Sequence, residues 1–132
     1  MKKKILFLCT GNAARSQMAE GLARANHGDA LDVVSAGSRP AGFVHPNATR
    51  ALAEIGIDID DAQSKSADEF LVEPFDVVVT VCDSAAADCP KWPGAKRIEH
   101  WSIEDPSWRG YEAFVETRDD LARRIDELVQ SL

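Results

Sequence analysis

Apolar residues along this chain fall into short unbroken runs that alternate with stretches where they recur every three or four positions, a pattern that predicts strands alternating with helices. Lys4-Ile5-Leu6-Phe7-Leu8 is a run bounded by polar residues, as in a strand buried on both faces, and it ends at Cys9. Met18, Ala19, Leu22 and Ala23 follow at helical spacing and predict a helix from near Arg15 to about Asn26. Leu31 to Val34 reads as a second strand, and Pro46 opens a second helix whose apolar face is Ala48, Ala51, Leu52 and Ile55. Phe75 to Val81, rich in β-branched valine, predicts a third strand ending at Cys82, and Lys96 to His100 a weaker fourth. Phe114, Leu121, Ile125 and Leu128 share one side of a final amphipathic helix from about Gly110 to Val129.

Strands alternating with helices imply parallel pairing, so the expected architecture is a three-layer α/β/α domain with right-handed crossovers. Its ligand crevice should lie beyond the carboxyl ends of the strands, where Cys9, Ser35 and Cys82 fall. A chain of 132 residues suits one domain, residues 1–132, with Gly37 to Gly42 and Pro90 to Gly94 as loops within it. No apolar stretch is long enough to span a membrane, and the four apolar residues after Met1-Lys2-Lys3-Lys4 are too few for an export signal. A soluble, cytoplasmic protein is therefore expected, with its cysteines available as thiols. The net charge of −7 argues against nucleic acid as a partner, and any anionic substrate must be attracted locally.

The local attraction is offered by Cys9-Thr10-Gly11-Asn12-Ala13-Ala14-Arg15-Ser16, between a strand end and a helix start. Gly11 and Asn12 tolerate left-handed backbone angles, which turns successive N–H groups inward as a concave anion nest at the helix N-terminus. Arg15 adds a planar fork for an oxyanion, so residues Thr10 to Ser16 are the expected substrate-binding set. The same positive potential favours a thiolate at Cys9, and Ser16 is placed to donate to its sulfur. The glycine and lysine of a nucleotide-binding loop are missing. The plainer alternative is a small cysteine buried at a strand end.

Cys82 and Cys89, with six residues between them, are the other thiols. A structural zinc site is disfavoured, because closer cysteine pairs are usual and the isolated His27, His45 and His100 read as surface or packing residues. The plainer alternative is that Cys82 is a core residue and Cys89 an incidental surface thiol.

The Cys9-to-Arg15 loop resembles that of the low-molecular-weight phosphatase family, and the resemblance extends over nearly the whole chain. It implies a four-stranded parallel sheet of order 2-1-3-4, with Cys9 attacking a tetrahedral oxyanion that Arg15 holds. Ser16-Gln17-Met18-Ala19-Glu20-Gly21, Ser35-Ala36-Gly37 and the spacing of Cys82 and Cys89 are similar to the thioredoxin-coupled arsenate reductase branch. That branch implies reduction of arsenate to arsenite for detoxification through a Cys9 adduct, then a Cys9–Cys82 disulfide, then a Cys82–Cys89 disulfide. Reduced thioredoxin would be the electron donor, no cofactor would be tightly bound, and phosphate or sulfate would compete as oxyanions. From the residues themselves, the Ser and Ala between Cys82 and Cys89 and the flanking acids suggest that residues 82–92 are helical when reduced and looped out when oxidised.

Asp105, followed by Pro106, matches the family's general acid. Asn12, Glu20 and Ser35 match polar positions that shape the loop and, in some members, hold potassium. Gln63 and Lys65 depart from that pattern. The Lys65 ammonium can fill the cation's place beside Glu20, which argues against potassium dependence and for no metal site. The runner-up is a low-molecular-weight protein tyrosine phosphatase, an activity that could also persist weakly in a reductase. Against it stand the extra cysteines and the lack of paired tyrosines after Asp105, where Trp108 and Tyr111 are found instead. A non-enzymatic oxyanion-binding or redox-sensing module is the third reading.

Overall fold

A computed structural model describes residues 2–82 and 94–132. Cys89 and the expected mobile stretch around it lie outside the described residues. In chain order the elements are β1 (Lys3–Cys9), α1 (Arg15–His27), β2 (Leu31–Gly37), α2 (Pro46–Ala53), β3 (Val77–Thr80), β4 (Ile98–His100) and α3 (Tyr111–Gln130). Short 3-10 turns at Ala67–Phe70 and Pro106–Trp108 have no counterpart in the apolar pattern, since each is too brief to display a period.

The four strands pair in parallel in the order β2-β1-β3-β4, as expected. On β1, the successive residues Ile5, Leu6, Phe7 and Leu8 point alternately to opposite faces, and all are at most 1% exposed. Both faces of the sheet are therefore covered, which gives the three-layer arrangement. α1 packs on β1 and β2, and α2 and α3 pack on α1 and on each other. Phe114, Leu121, Ile125 and Leu128 form the buried stripe of α3, and Arg123 pairs with Asp120 and Glu127 on its outer side.

β4 begins at Ile98 rather than Lys96, and three further boundaries differ from expectation, each for a local reason. β2 runs on past Val34, because Ser35, Ala36 and Gly37 pair with Phe7, Leu8 and Cys9; the polar Ser35 masks this in the sequence yet is fully buried. α2 stops at Ala53 ahead of Gly56, whose φ of +80° ends the turn, so Ile55 lies beyond the helix and is half exposed. β3 begins only at Val77, since Asp76 turns its carboxylate to accept from the Lys4 amide at 2.8 Å and Phe75 makes a single bridge to Ala95.

The register has one consequence for function. Cys9 ends β1 opposite Gly37, and Thr80 ends β3 opposite Leu8, so the chain leaves both central strands at the same edge of the sheet.

Candidate active site

The loop from Cys9 to Arg15 is held open from outside. The Cys9, Thr10, Gly11 and Ala13 carbonyls accept from the amides of Ser38, Arg39, Ala41 and His45 at 2.8–3.1 Å. The Gly11 carbonyl also accepts from Ser64 Oγ at 3.0 Å, and the Asn12 carbonyl from Gln17 Nε2 at 3.1 Å. Each peptide plane points its C=O and its N–H in opposite directions, so carbonyls drawn outward leave the amides facing the hollow of the loop. α1 starts at Arg15 without any side-chain cap, which leaves its first amides open to a ligand.

Asn12 sits at the centre of this arrangement with φ of +48° and is fully buried; of the two residues read as tolerating the left-handed conformation it alone adopts it, Gly11 keeping a φ outside that region. Its amide donates to Cys9 Sγ at 3.1 Å. Its side-chain Nδ2 donates to Ser16 Oγ at 2.8 Å and to Ser35 Oγ at 2.9 Å. Ser16 Oγ, already accepting from Asn12, has its proton left to donate to Cys9 Sγ, 2.8 Å away. Two donors thus converge on the sulfur, the polarity suited to negative charge there. Cys9 is a free, buried thiol.

The network continues to Glu20, whose Oε1 accepts from Ser35 Oγ at 2.9 Å. A carboxylate so deeply buried costs several kcal/mol without compensation. Compensation comes from Arg24, 3.3 Å from Oε2, and from Lys65 Nζ, 3.6 Å from Oε1. Lys65 therefore stands where the sequence expects it, and its ammonium also donates to the Gln63 carbonyl at 2.9 Å. With a fixed cation already against Glu20, these residues do not fit a potassium ion as well. Among the described residues, no group of three or more His, Cys, Asp or Glu gathers to hold a metal. Nor is any described helix long and apolar enough to cross a membrane.

On the open side, Arg15 donates from Nη1 to the Ile103 carbonyl at 2.9 Å and lies 3.8 Å from Asp105 through Nη2. Asp105 caps the Pro106–Trp108 turn by accepting from the Ser107 amide at 3.0 Å. Burial pushes the Asp105 carboxyl up, but the Ser107 hydrogen bonds and the Arg15 charge outweigh it, and the group titrates below its ordinary value. Cys82 Sγ is 3.3 Å from Thr10 Oγ1, which brings the second cysteine against the loop of the first. Two adjoining clefts follow. Cys9, Gly11, Ala13, Ala14, Arg15, Asp105 and Ser107 line one, and Thr10, Arg15, Cys82 and residues 102–105 line the other.

Several supporting residues escape a reading of the apolar pattern. The segment 38–45 and the strap 63–65 hold the loop, the latter also through the Lys65 amide on Asn12 Oδ1 at 2.7 Å. One signal for them exists in α1, where Ser16, Gln17 and Glu20 are as buried as Met18 and Leu22. Three polar residues on a helix so short of solvent-facing positions need partners inside the protein. His45 proves a capping and packing residue: Nδ1 accepts from the Asn47 amide, and the ring lies 4.6 Å from that of Phe114. Trp101 packs on Phe7, whereas Trp108 is almost fully exposed.

Gly37 shows how tight the support is. A Cβ there would lie 2.6 Å from the Thr10 carbonyl oxygen and 3.0 Å from the Asn12 nitrogen, both backbone atoms of the loop. Gly37→Ala is expected to cost about 1–3 kcal/mol of stability and to weaken phosphate binding at least roughly tenfold. Thermal melting and phosphate calorimetry check both effects.

A thiol at a strand end, an amide-lined hollow, an arginine and an opposed carboxylate thus meet at one end of an α/β sheet. The chain belongs to the low molecular weight phosphotyrosine protein phosphatase family, whose model matches residues 4–132. Within that family it is similar to an arsenate reductase of Halalkalibacterium halodurans, 43% identical over 98% of this chain and 97% of the relative. Among solved structures, an arsenate reductase in the phosphate binding state superposes with a TM-score of 0.89 at 33% identity, covering 98% of each chain. A thioredoxin-dependent arsenate reductase of Corynebacterium glutamicum gives 0.81 at 33% identity, covering 98% of this chain and 61% of that one.

Proposed function

We propose that this chain reduces arsenate to arsenite, with Cys9 as nucleophile, Cys82 and Cys89 as the thiols of a disulfide relay, and reduced thioredoxin as electron donor. One observation carries the reading: the cradle's own cysteine is joined by a second, Cys82, at 3.3 Å from Thr10 of the same loop. A phosphoester hydrolase has no use for a second thiol there. The likeness to arsenate reductases, one of them thioredoxin-dependent, supports the same choice.

In the first step the Cys9 thiolate attacks arsenic, an As–S bond forms, and a protonated oxygen leaves as water. The loop amides and Arg15 bind the oxyanion and stabilise charge as it moves onto the equatorial oxygens. In the second step the Cys82 thiolate attacks Cys9 Sγ. The S–S bond forms, the As–S electron pair passes to arsenic, and arsenite departs; two thiols have been oxidised and As(V) has become As(III). Cys89 then displaces Cys9 from Cys82, and a dithiol reductant returns the Cys82–Cys89 disulfide to thiols.

Asp105 supplies the proton in the first step, which requires it to be protonated when arsenic is attacked. In the free protein its carboxyl is held below the ordinary value of 3.8, so it is ionised at neutral pH, and its contribution to stability is lost only as the pH falls through that lowered value. An arriving oxyanion engages Arg15 and brings negative charge close, and both effects raise the carboxyl. Oxyanion binding near neutral pH should accordingly take up protons, seen as a dependence of the binding heat on buffer ionisation. Asp105→Asn should remove the uptake contributed by this side chain and lower turnover by roughly 10²–10⁴. Proton uptake identical to that of the parent chain would exclude Asp105 from the role.

The deciding experiment is arsenate-dependent NADPH oxidation with thioredoxin and thioredoxin reductase, set against glutathione with glutaredoxin. A signal is expected only in the first. Silence with thioredoxin rejects the proposal and leaves the phosphatase reading, which the same cradle and Asp105 serve through a phosphocysteine.

A further inference from the structure

Five consecutive carbonyls of the cradle, Cys9 to Ala13, are held from outside it, and four of them are held by backbone amides that no substitution except proline removes: those of Ser38, Arg39, Ala41 and His45. The Asn12 carbonyl is the exception. Its described donor is a side chain, Gln17 Nε2, at 3.1 Å. The orientation of the Asn12–Ala13 peptide thus depends on a single mutable group. We propose that Gln17 is a positioning residue that locks this peptide with its carbonyl outward and the Ala13 N–H inward, setting the cradle's affinity for tetrahedral oxyanions without touching them. The inference rests on the reading of residues 9–15 as an oxyanion cradle.

Gln17 is 1% exposed in the first turn of α1 and lines neither cleft. Three acceptors surround its Nε2: the Asn12 carbonyl, Asn12 Oδ1 at 2.9 Å and the Gln63 carbonyl at 2.7 Å. They fix which end of the amide faces the loop, because an oxygen there would meet only oxygens. Its Oε1 has no hydrogen-bond partner among the described residues. A buried acceptor in that state is destabilising, so packing and stability alone give no reason for a glutamine where methionine has similar volume. The residue is explained by its two hydrogens, which are shared among the Asn12 carbonyl, Asn12 Oδ1 and the Gln63 carbonyl and so tie the Asn12 peptide to the 63–65 strap.

Gln17 also joins the cradle to the 63–65 strap. Asn12 Oδ1 accepts from both Gln17 and the Lys65 amide, and Gln63 offers its carbonyl to both Gln17 and Lys65 Nζ. With Gln17 gone, the 12–13 peptide has lost the restraint on its carbonyl and can rotate, since the flanking Gly11 and Ala13 carbonyls are held independently. A rotated peptide removes one N–H donor from the anion and points a carbonyl oxygen at it. Loss of one hydrogen bond to a charged group corresponds to roughly ten- to hundredfold in affinity.

The test uses inorganic phosphate as the probe, with the reduced full chain, in calorimetric titrations of the parent, Gln17→Met and Gln17→Glu from pH 5 to 8. Gln17→Met is expected to bind phosphate roughly ten- to hundredfold more weakly, by the same factor at every pH. Gln17→Glu is expected to be at least as weak at pH 8 and to recover toward the parent on acidification, because a protonated carboxyl can donate to the Asn12 carbonyl. A merely structural role predicts no such recovery. A folded Gln17→Met that binds within twofold of the parent overturns the inference. If that variant does not fold, a Gln17→Glu deficit that stays constant with pH overturns it instead. A parent chain that binds no phosphate rejects the cradle reading itself, a separate outcome visible before any variant is made.

Discussion

Cys9→Ser should yield no arsenite at all, a loss beyond the roughly 10⁶-fold that removal of a nucleophile alone can bring. The serine oxygen would keep the donors now aimed at sulfur, the Asn12 amide at 3.1 Å and Ser16 Oγ at 2.8 Å, and phosphate binding should stay within a few-fold of the parent. The defect is electronic rather than geometric. Arsenite requires two electrons, they come from two sulfurs becoming a disulfide, and an oxygen cannot take that part. Arsenite release and phosphate affinity, measured on the same preparation, separate this from misfolding. Measurable thioredoxin-dependent arsenite from Cys9→Ser would show that the electrons come from elsewhere.

Cys82→Ser should be equally silent in arsenite production, for a reason one step later. Arsenate can still bind and join Cys9, but the Cys82 thiol beside Thr10 is gone and with it the attack on Cys9 Sγ that releases arsenic with its electron pair. Any phosphoester hydrolysis in the parent should survive, because a phosphocysteine needs only water and Asp105 for turnover. The two variants together separate the two reaction classes: Cys9→Ser removes both activities and Cys82→Ser removes reduction alone. Undiminished arsenite from Cys82→Ser would be incompatible with the relay. Cys89→Ala, by the same logic, should release about one arsenite per chain and then stop, since exchange onto Cys82 has no partner.

Much of the site was legible because it is contiguous. Cys9, Gly11, Asn12, Arg15 and Ser16 follow one another between a buried strand and a helix, and the left-handed Asn12 and the Ser16–sulfur hydrogen bond were expected on local chemistry alone. Lys65 beside Glu20 was also anticipated, though through family resemblance rather than spacing. Less visible was the support. Ser38 to His45 act through backbone amides, which carry no residue-type signal, and Ser64, Gln63 and Gln17 act through contacts between residues far apart in the chain. The lowered titration of Asp105 was partly hidden for a similar reason. An ordinary aspartate is ionised at neutral pH; what was hidden is the further lowering, which depends on Ser107 close by and on Arg15 from a distant part of the chain.

By itself the sequence determined the alternation of strands and helices, the loop that follows β1, and the presence there of Cys9 and Arg15 with two further cysteines later in the chain, because periodicity and backbone preference are local. The tertiary structure decided which way the loop's peptides face, which charges compensate Glu20, and that Cys82 meets Thr10. Those depend on parallel register, which places Leu8 beside Thr80 and Cys9 beside Gly37, and on a glycine small enough to let the backbone of the loop come to 2.6 Å from where a side chain would begin. Register and close approach are relations between segments tens of residues apart, and no pattern within either segment encodes them.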